Sequence, residues 1–179
     1  MSAINPEANI ETHSCAWQAA AQQIREADVI ISCVDSYAAR QDLEATARRY
    51  MIPLVDIGMD VFFVDQHAHV SGQVILSLPE GPCMKCLGFL TEENLRQEAN
   101  QYGAAGGRPQ VVWANGILAS LAVGILVDLL TGWNGLPVRG EYLHLDGNQN
   151  VVTRSPRLDY VPKQCPHFPK ESVGDPVFK

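Results

Sequence analysis

Apolar residues recur along this chain in three rhythms, and each predicts a different kind of element. Residues 16–27 (AWQAAAQQIREA) are rich in helix formers and lead into a β-branched run, Asp28-Val-Ile-Ile-Ser-Cys-Val-Asp35. A continuous apolar run this short fits a strand covered on both faces of a parallel sheet better than a buried helix. After Asp35-Ser36, a helix over 37–50 carries Ala38, Ala39, Leu43, Ala47 and Tyr50, and Pro53 ends it. Leu54-Val-Asp-Ile57 is a second buried strand, so the segment predicts a βαβ unit with a right-handed crossover in an α/β fold.

The rhythm then changes. Residues 61–64 and 70–78 read as a strand pair, with Asp65-Gln-His-Ala-His69 as its polar turn; no carboxylate pattern completes a metal set around His67 and His69. Pro79-Glu-Gly-Pro-Cys83 is a loop, and 91–102 is a helix capped by Thr91 with Glu92 and Glu93 in its first turn. Gly103-Ala-Ala-Gly-Gly107 is a flexible joint before the longest apolar segment, 111–130. About 20 apolar residues would span a bilayer. Asp128 in lipid would cost about 3 kcal/mol, however, so the segment is expected to be a helix buried in the core of the domain or of a dimer. Residues 141–146 and 150–153 alternate as a hairpin around Asp146-Gly147, and the proline-bearing stretch 157–179 reads as an irregular tail.

Charge narrows the function classes. Twenty acidic against 13 basic residues give a net charge of -7, which repels polyanions. Only Arg48 and Arg49 are adjacent among the basic residues, so neither nucleic acid nor a membrane surface is an expected partner. The amino terminus has no basic and apolar leader pattern, and five cysteines do not make a complete secreted disulfide framework. Cytoplasmic localisation with reduced thiols is the expectation.

Two clusters carry candidate chemistry. Cys83-Met-Lys-Cys86 is a C-x-x-C on a loop, open to three readings: a redox pair, half of a zinc site, or two ordinary thiols. The redox pair fits less well, because the following helix starts at Thr91 and Cys165 would have no role. A structural zinc site needs further ligands, and Gln164-Cys-Pro-His-Phe168 offers Cys165, with His167 as a fourth ligand and His144 as its alternative. The second cluster is Asp35 with Arg40. Asp35 ends a predicted parallel strand, where open α/β sheets place ligands, and could hold a Mg²⁺ that bridges nucleotide phosphates. Arg40, about one turn into the helix, could orient the loop or meet a phosphate; the plain alternative is a helix cap at Asp35 or Ser36 beside an exposed arginine. No G-x-G-x-x-G, G-x-x-x-x-G-K-[ST], G-x-S-x-G or H-E-x-x-H occurs.

Taken together these residues are recognisable. Ile4-Asn5-Pro6, the run from Ala27 to Ser36 with Arg40, Ile52-Pro-Leu-Val-Asp-Ile-Gly58, Pro82-Cys-Met-Lys-Cys-Leu-Gly88 and the long helix after Arg108-Pro109 stand in one order. In that order the chain resembles the carboxyl-terminal two-thirds of the ThiF/MoeB/HesA adenylyltransferases, relatives of the ubiquitin-activating enzymes. The resemblance implies a Rossmann-like three-layer α/β domain over residues 1–156, incomplete at its amino-terminal half, with an antiparallel strand extension. The tail, 157–179, would return to the zinc site. It implies ATP with Mg²⁺ as cofactors, a ubiquitin-like or sulfur-carrier protein as partner, and adenylation of that partner's terminal carboxylate.

The resemblance matches Asp35 to the Mg-ATP aspartate, Cys83 and Cys86 to the first zinc pair, and Cys165 to the first member of the second pair. The fourth zinc cysteine would fall at Phe168, so either His167 replaces it or the site is incomplete. The family's glycine-rich loop and phosphate-clamping cations would lie ahead of residue 1. No cysteine stands between Leu87 and Trp133 to form a thioester. An exposed apolar edge on the 28–34 strand predicts a homodimer or a heteromeric complex. The alternative function is a non-catalytic, zinc-stabilised binding or assembly module of the same descent.

Overall fold

Strand pairing begins with only three residues of the first apolar run. Ile30–Ser32 form β1, Tyr37–Arg49 form α2 and Leu54–Val64 form β2, with Ile30 opposite Leu54 in parallel register. The computed structural model describes residues 4–101, 109–169 and 174. Ahead of β1, the helix expected over 16–27 shrinks to a 3₁₀ turn, Trp17–Ala20, and a five-residue α1, Ala21–Arg25. Neither start carries a side-chain cap, which removes one source of stability for a longer helix.

The two strands expected at 54–57 and 61–64 are one, β2, and β3 (His67–Ser77) pairs with it along its whole length. Only Asp65 and Gln66 turn the chain, both with positive φ (48° and 66°). A two-residue turn of that hand matches the strand twist, so the ladder runs to the tip. This corrects the placing of His67 and His69 in a polar turn. Both lie in β3, and His69 stacks on Phe62 with ring centroids 5.5 Å apart. The antiparallel β4 (Glu141–Asp146) and β5 (Val151–Arg154) complete a sheet of order β1-β2-β3-β4-β5.

Helices cover both faces, which makes three layers. On one face α2 packs Leu43 and Ala47 against Leu54 and Ile75, with Met84 and Leu87 of the following loop. On the other, α4 (Val112–Thr131) sets Ala114, Leu118 and Ala122 on Val55, Val74 and Leu145. Gly72 admits Leu118 there: a Cβ on it would stand 2.6 Å from the leucine's Cδ1. α3 (Glu92–Gln101) begins at Thr91, whose Oγ1 accepts the Asn94 amide at 3.1 Å. Residues 103–107, the expected joint, lie outside the described residues.

α4 gives only one face to the sheet. It is long and apolar enough to cross a bilayer by length and composition, yet it lies along the sheet, and only 17% of its apolar window is buried. Its outward stripe, including Val112 (88% exposed), Val123, Val127 and Leu130, faces away from the sheet. One helix can give only one face to one sheet, so an all-round apolar helix leaves the other face open. The sheet edge at β1 matches its expectation: no described strand lies beyond it, and Ile31 is exposed.

Candidate metal centre and sheet-edge acid

The loop after β3 makes a tight turn from Cys83 to Leu90, where Leu87 N donates to Cys83 O at 3.0 Å and Phe89 N to Met84 O at 2.9 Å. Gly88 sits at φ 64°, a conformation that glycine takes without strain. The turn presents Cys83 and Cys86 to one point. The chain beyond the 3₁₀ helix Pro156–Tyr160 returns to that point with Cys165 and His167. Cys83 Sγ and Cys165 Sγ each lie 3.6 Å from Cys86 Sγ, and His167 Nδ1 lies 3.4 Å from both Cys83 Sγ and Cys86 Sγ. All four ligand atoms fall within 4.8 Å of one another.

Those separations test the fit of a metal. Zn–S bonds of about 2.3 Å and Zn–N bonds of about 2.05 Å in a tetrahedron give S···S edges of about 3.8 Å and S···N edges of about 3.5 Å. The cluster matches both, and three thiolates with one imidazole are a closed, structural donor set for Zn²⁺. Without metal, burial pushes the Cys83 and Cys86 thiols up. Burial acts on Cys165 too, but hydrogen bonds from the Cys83 thiol and from the His167 and Phe168 amides outweigh it and lower that thiol. His144 belongs elsewhere, with its Nε2 3.1 Å from Ser71 Oγ.

Two residues missed at the sequence level hold this loop. Glu44 and Arg48 of α2 are both buried, with Arg48 Nε 3.7 Å from Glu44 Oε1. Arg48 donates to the carbonyls of Pro79 (3.0 Å), Gly81 (3.1 Å) and Pro82 (3.0 Å) and to Ser77 Oγ (2.8 Å). Glu44 accepts from Ser77 Oγ at 2.5 Å and from the Met84 amide at 3.0 Å. Burial raises the Glu44 carboxyl above its ordinary range, against the pull of the Ser77 bond and of Arg48. Phe168 lies over the Arg48 guanidinium at 4.9 Å, so the same arginine meets the returning tail. An i,i+4 Glu–Arg pair on the apolar face of a helix was the available signal, but by spacing alone it reads as a solvated pair. Arg157 adds a second tie, donating to the carbonyls of Leu87 (3.2 Å) and Gly88.

Asp35 is exposed in the bend between β1 and α2, and Ser36 caps α2 by accepting the Ala39 amide at 3.1 Å. Arg40 turns inward. Its Nε donates to both oxygens of Asp56 at 3.2 and 3.1 Å, and Ser32 Oγ donates to Asp56 Oδ1 at 2.8 Å. Asp56 thereby joins the end of β1 to the first turn of α2. Burial raises its carboxyl, while the Arg40 charge and the Ser32 bond oppose that rise. The amides that open α2 are engaged as well: Glu98 of α3 accepts from Tyr37 N at 2.8 Å, Ala38 N at 3.0 Å and Ser36 Oγ at 3.2 Å. The structure thus leaves Asp35 exposed in the bend and Arg40 buried in the first turn of α2, and neither joins the cysteine cluster.

The family model described as the ThiF family matches residues 1–167. Among solved structures, the crystal structure of selenomethionine PaaA is similar in fold, with TM-score 0.55 and 14% sequence identity. It covers 86% of this chain and 51% of PaaA, so the chain spans about half of PaaA's length. No curated protein matches the chain.

Proposed function

This chain belongs to the ThiF family, and from that premise we propose that it forms the Asp35 side of an ATP-dependent adenylation site. The substrate would be the terminal carboxylate of a ubiquitin-like or sulfur-carrier protein, which attacks the α-phosphorus of ATP and expels pyrophosphate. The observation that carries this reading is the place of Asp35. It is exposed at the carboxyl end of a parallel strand, on the free edge of the sheet and directly before a helix, where α/β sheets bind ligands.

Each residue has a role in that site. Asp35 would offer one carboxylate to Mg²⁺, and that ion when bound would supply charge neutralisation at the phosphates. Arg40 acts from beneath the loop: clamped by Asp56, it fixes the turn that projects Asp35. A triphosphate needs more cations and free amides than these, since Arg40 is committed to Asp56 and the first amides of α2 to Glu98. A glycine-rich phosphate-binding unit added at the free edge of β1 would supply them, from further chain or from a partner. Zinc on Cys83, Cys86, Cys165 and His167 is structural in this reading, pinning the tail to the loop. A second copy of the chain would cover the outward stripe of α4. That stripe carries no charge between Val112 and Leu130 apart from half-buried Asp128, so it is a face on which two chains of net charge -7 meet without repulsion.

The engaged state of Arg40 and of the α2 amides favours a second reading, a non-catalytic assembly module that keeps the zinc knot alone. Carrier-dependent ATP–pyrophosphate exchange separates the two. The chain purified in its native complex should exchange, Asp35→Ala should lower the rate at least about a hundredfold, and the isolated 179-residue chain should not exchange. Exchange by the complex that ignores Asp35→Ala overturns the adenylation reading.

A further inference from the structure

The four metal-binding groups differ sharply in access. Cys83 is fully buried, Cys86 and Cys165 are half-buried and His167 is exposed. Cys86 Sγ lies 3.6 Å from each of the other two sulfurs. We propose that Cys86 is a peroxide-sensitive modification site, and that its oxidation closes a Cys83–Cys86 disulfide, expels zinc and frees the tail from the loop.

The order of events follows from that geometry. The Cys86 thiolate, open on its solvent side, attacks one oxygen of hydrogen peroxide. The O–O bond breaks, Cys86 becomes a sulfenic acid and hydroxide leaves. Displacement at that sulfur must come from the side opposite the new S–O bond. An oxygen on the solvent side puts the line of attack in the interior, where Cys83 lies. The Cys83 thiolate attacks, the S–S bond forms and a second hydroxide departs. In sum, two thiolates, one peroxide and two protons give one disulfide and two waters, with two electrons passing from sulfur to oxygen.

Chain connectivity favours the same pair. The Cys86 amide donates to Cys83 Sγ at 3.4 Å and the turn is closed by its own backbone bonds, so these two sulfurs stay together when metal leaves. Cys165 is 79 residues away along the chain from Cys86, and contacts outside the turn bring it there, among them Phe168 on Arg48 and Gly174 N on Arg48 O. Losing two of three thiolates leaves Cys165 and His167 unable to hold zinc alone. The stretch around Cys165 then keeps the Phe168–Arg48 contact and the bond from Gly174 N to Arg48 O at 3.4 Å, but loses its tie to the C-x-x-C turn. The C-x-x-C redox chemistry and the zinc site are thus two states of one motif, whatever the activity at Asp35.

The test uses the full chain loaded with zinc and treated with equimolar hydrogen peroxide. A chromogenic chelator should register about one zinc released per chain, and under denaturing, metal-free conditions the treated protein should weigh about 2 Da less than the reduced protein. Peptide mapping should find Cys83 joined to Cys86, with Cys165 newly open to N-ethylmaleimide. Trypsin should cleave after Lys163 at least about tenfold faster than in the zinc form, and dithiothreitol with zinc should reverse every change. Zinc that stays bound, a disulfide that includes Cys165, or unchanged cleavage at Lys163 overturns the proposal. Cys165→Ser retains both reacting sulfurs and should still form the disulfide under peroxide; failure to do so also overturns it.

Discussion

Replacing Arg48 with Met keeps the stem that packs beside α2 but removes the cation on which the metal-binding loop hangs. Arg48 is 1% exposed and gives hydrogen bonds to three loop carbonyls and Ser77. Its loss also strands the Glu44 carboxylate, itself 1% exposed, without its cation. Removing one partner of a buried ion pair costs about 3–5 kcal/mol, chiefly because the other charge is left behind. For a domain of this size that is a fall in Tm of about 6–20 °C. The hydrogen bonds are part of the same event and do not add to it. Glu44→Gln alone should also destabilise, since Glu44 holds the Met84 amide at 3.0 Å. The double variant should lose at least about 1 kcal/mol less than the sum, because it leaves no unpaired charge. Urea unfolding of the zinc-loaded proteins measures all three, with zinc affinity read by competition against a chelator. Arg48→Met should weaken zinc about 10–100-fold, as loss of supporting partners does elsewhere. A loss of stability under about 1 kcal/mol, or strict additivity of the two substitutions, would refute this account of the loop.

Other outcomes follow from the same structure. Purified without chelator, the chain should carry about one zinc, and Cys83→Ser should lower that to well under one and make unfolding insensitive to chelator; elemental analysis decides. Paired charges on the outward stripe of α4, Val123→Asp with Val127→Asp, should convert a dimer into a monomer in sedimentation velocity while leaving the circular dichroism unchanged, as both side chains are exposed. A wild-type chain that sediments as a monomer at micromolar concentration would remove the reason for that face. Gln66→Gly should raise stability by about 1 kcal/mol in thermal unfolding, because Gln66 holds φ 66° in a turn that favours glycine.

How far the site could be read in advance depended on whether its signal was local. Cys83, Cys86, Cys165 and His167 are recognisable by residue type, and C-x-x-C spacing is set within one turn of backbone. Whether His167 or His144 completed the set could not be read, because that depends on the path of the chain after β5. The structure turns His144 toward Ser71 on the sheet and brings His167 to the sulfurs. The histidines of the β2–β3 hairpin show the reverse error. Their polar composition reads as a turn, whereas a two-residue turn at Asp65-Gln66 carries the ladder through them.

Pattern along the chain, by itself, determined the βαβ unit, the helix that follows Asp35, the capped start of α3 and the metal-binding residue types. Each is written in neighbours a few positions apart, where backbone geometry and side-chain preference act directly. Tertiary structure alone decided that Arg40 faces Asp56, that Glu98 seals the first turn of α2, and that Glu44 and Arg48 are buried beneath the loop. It also decided that α4 covers the sheet with a single stripe. A charged side chain looks alike in sequence whether it meets water or a buried partner, and only folding, by removing the water, settles which of the two it meets.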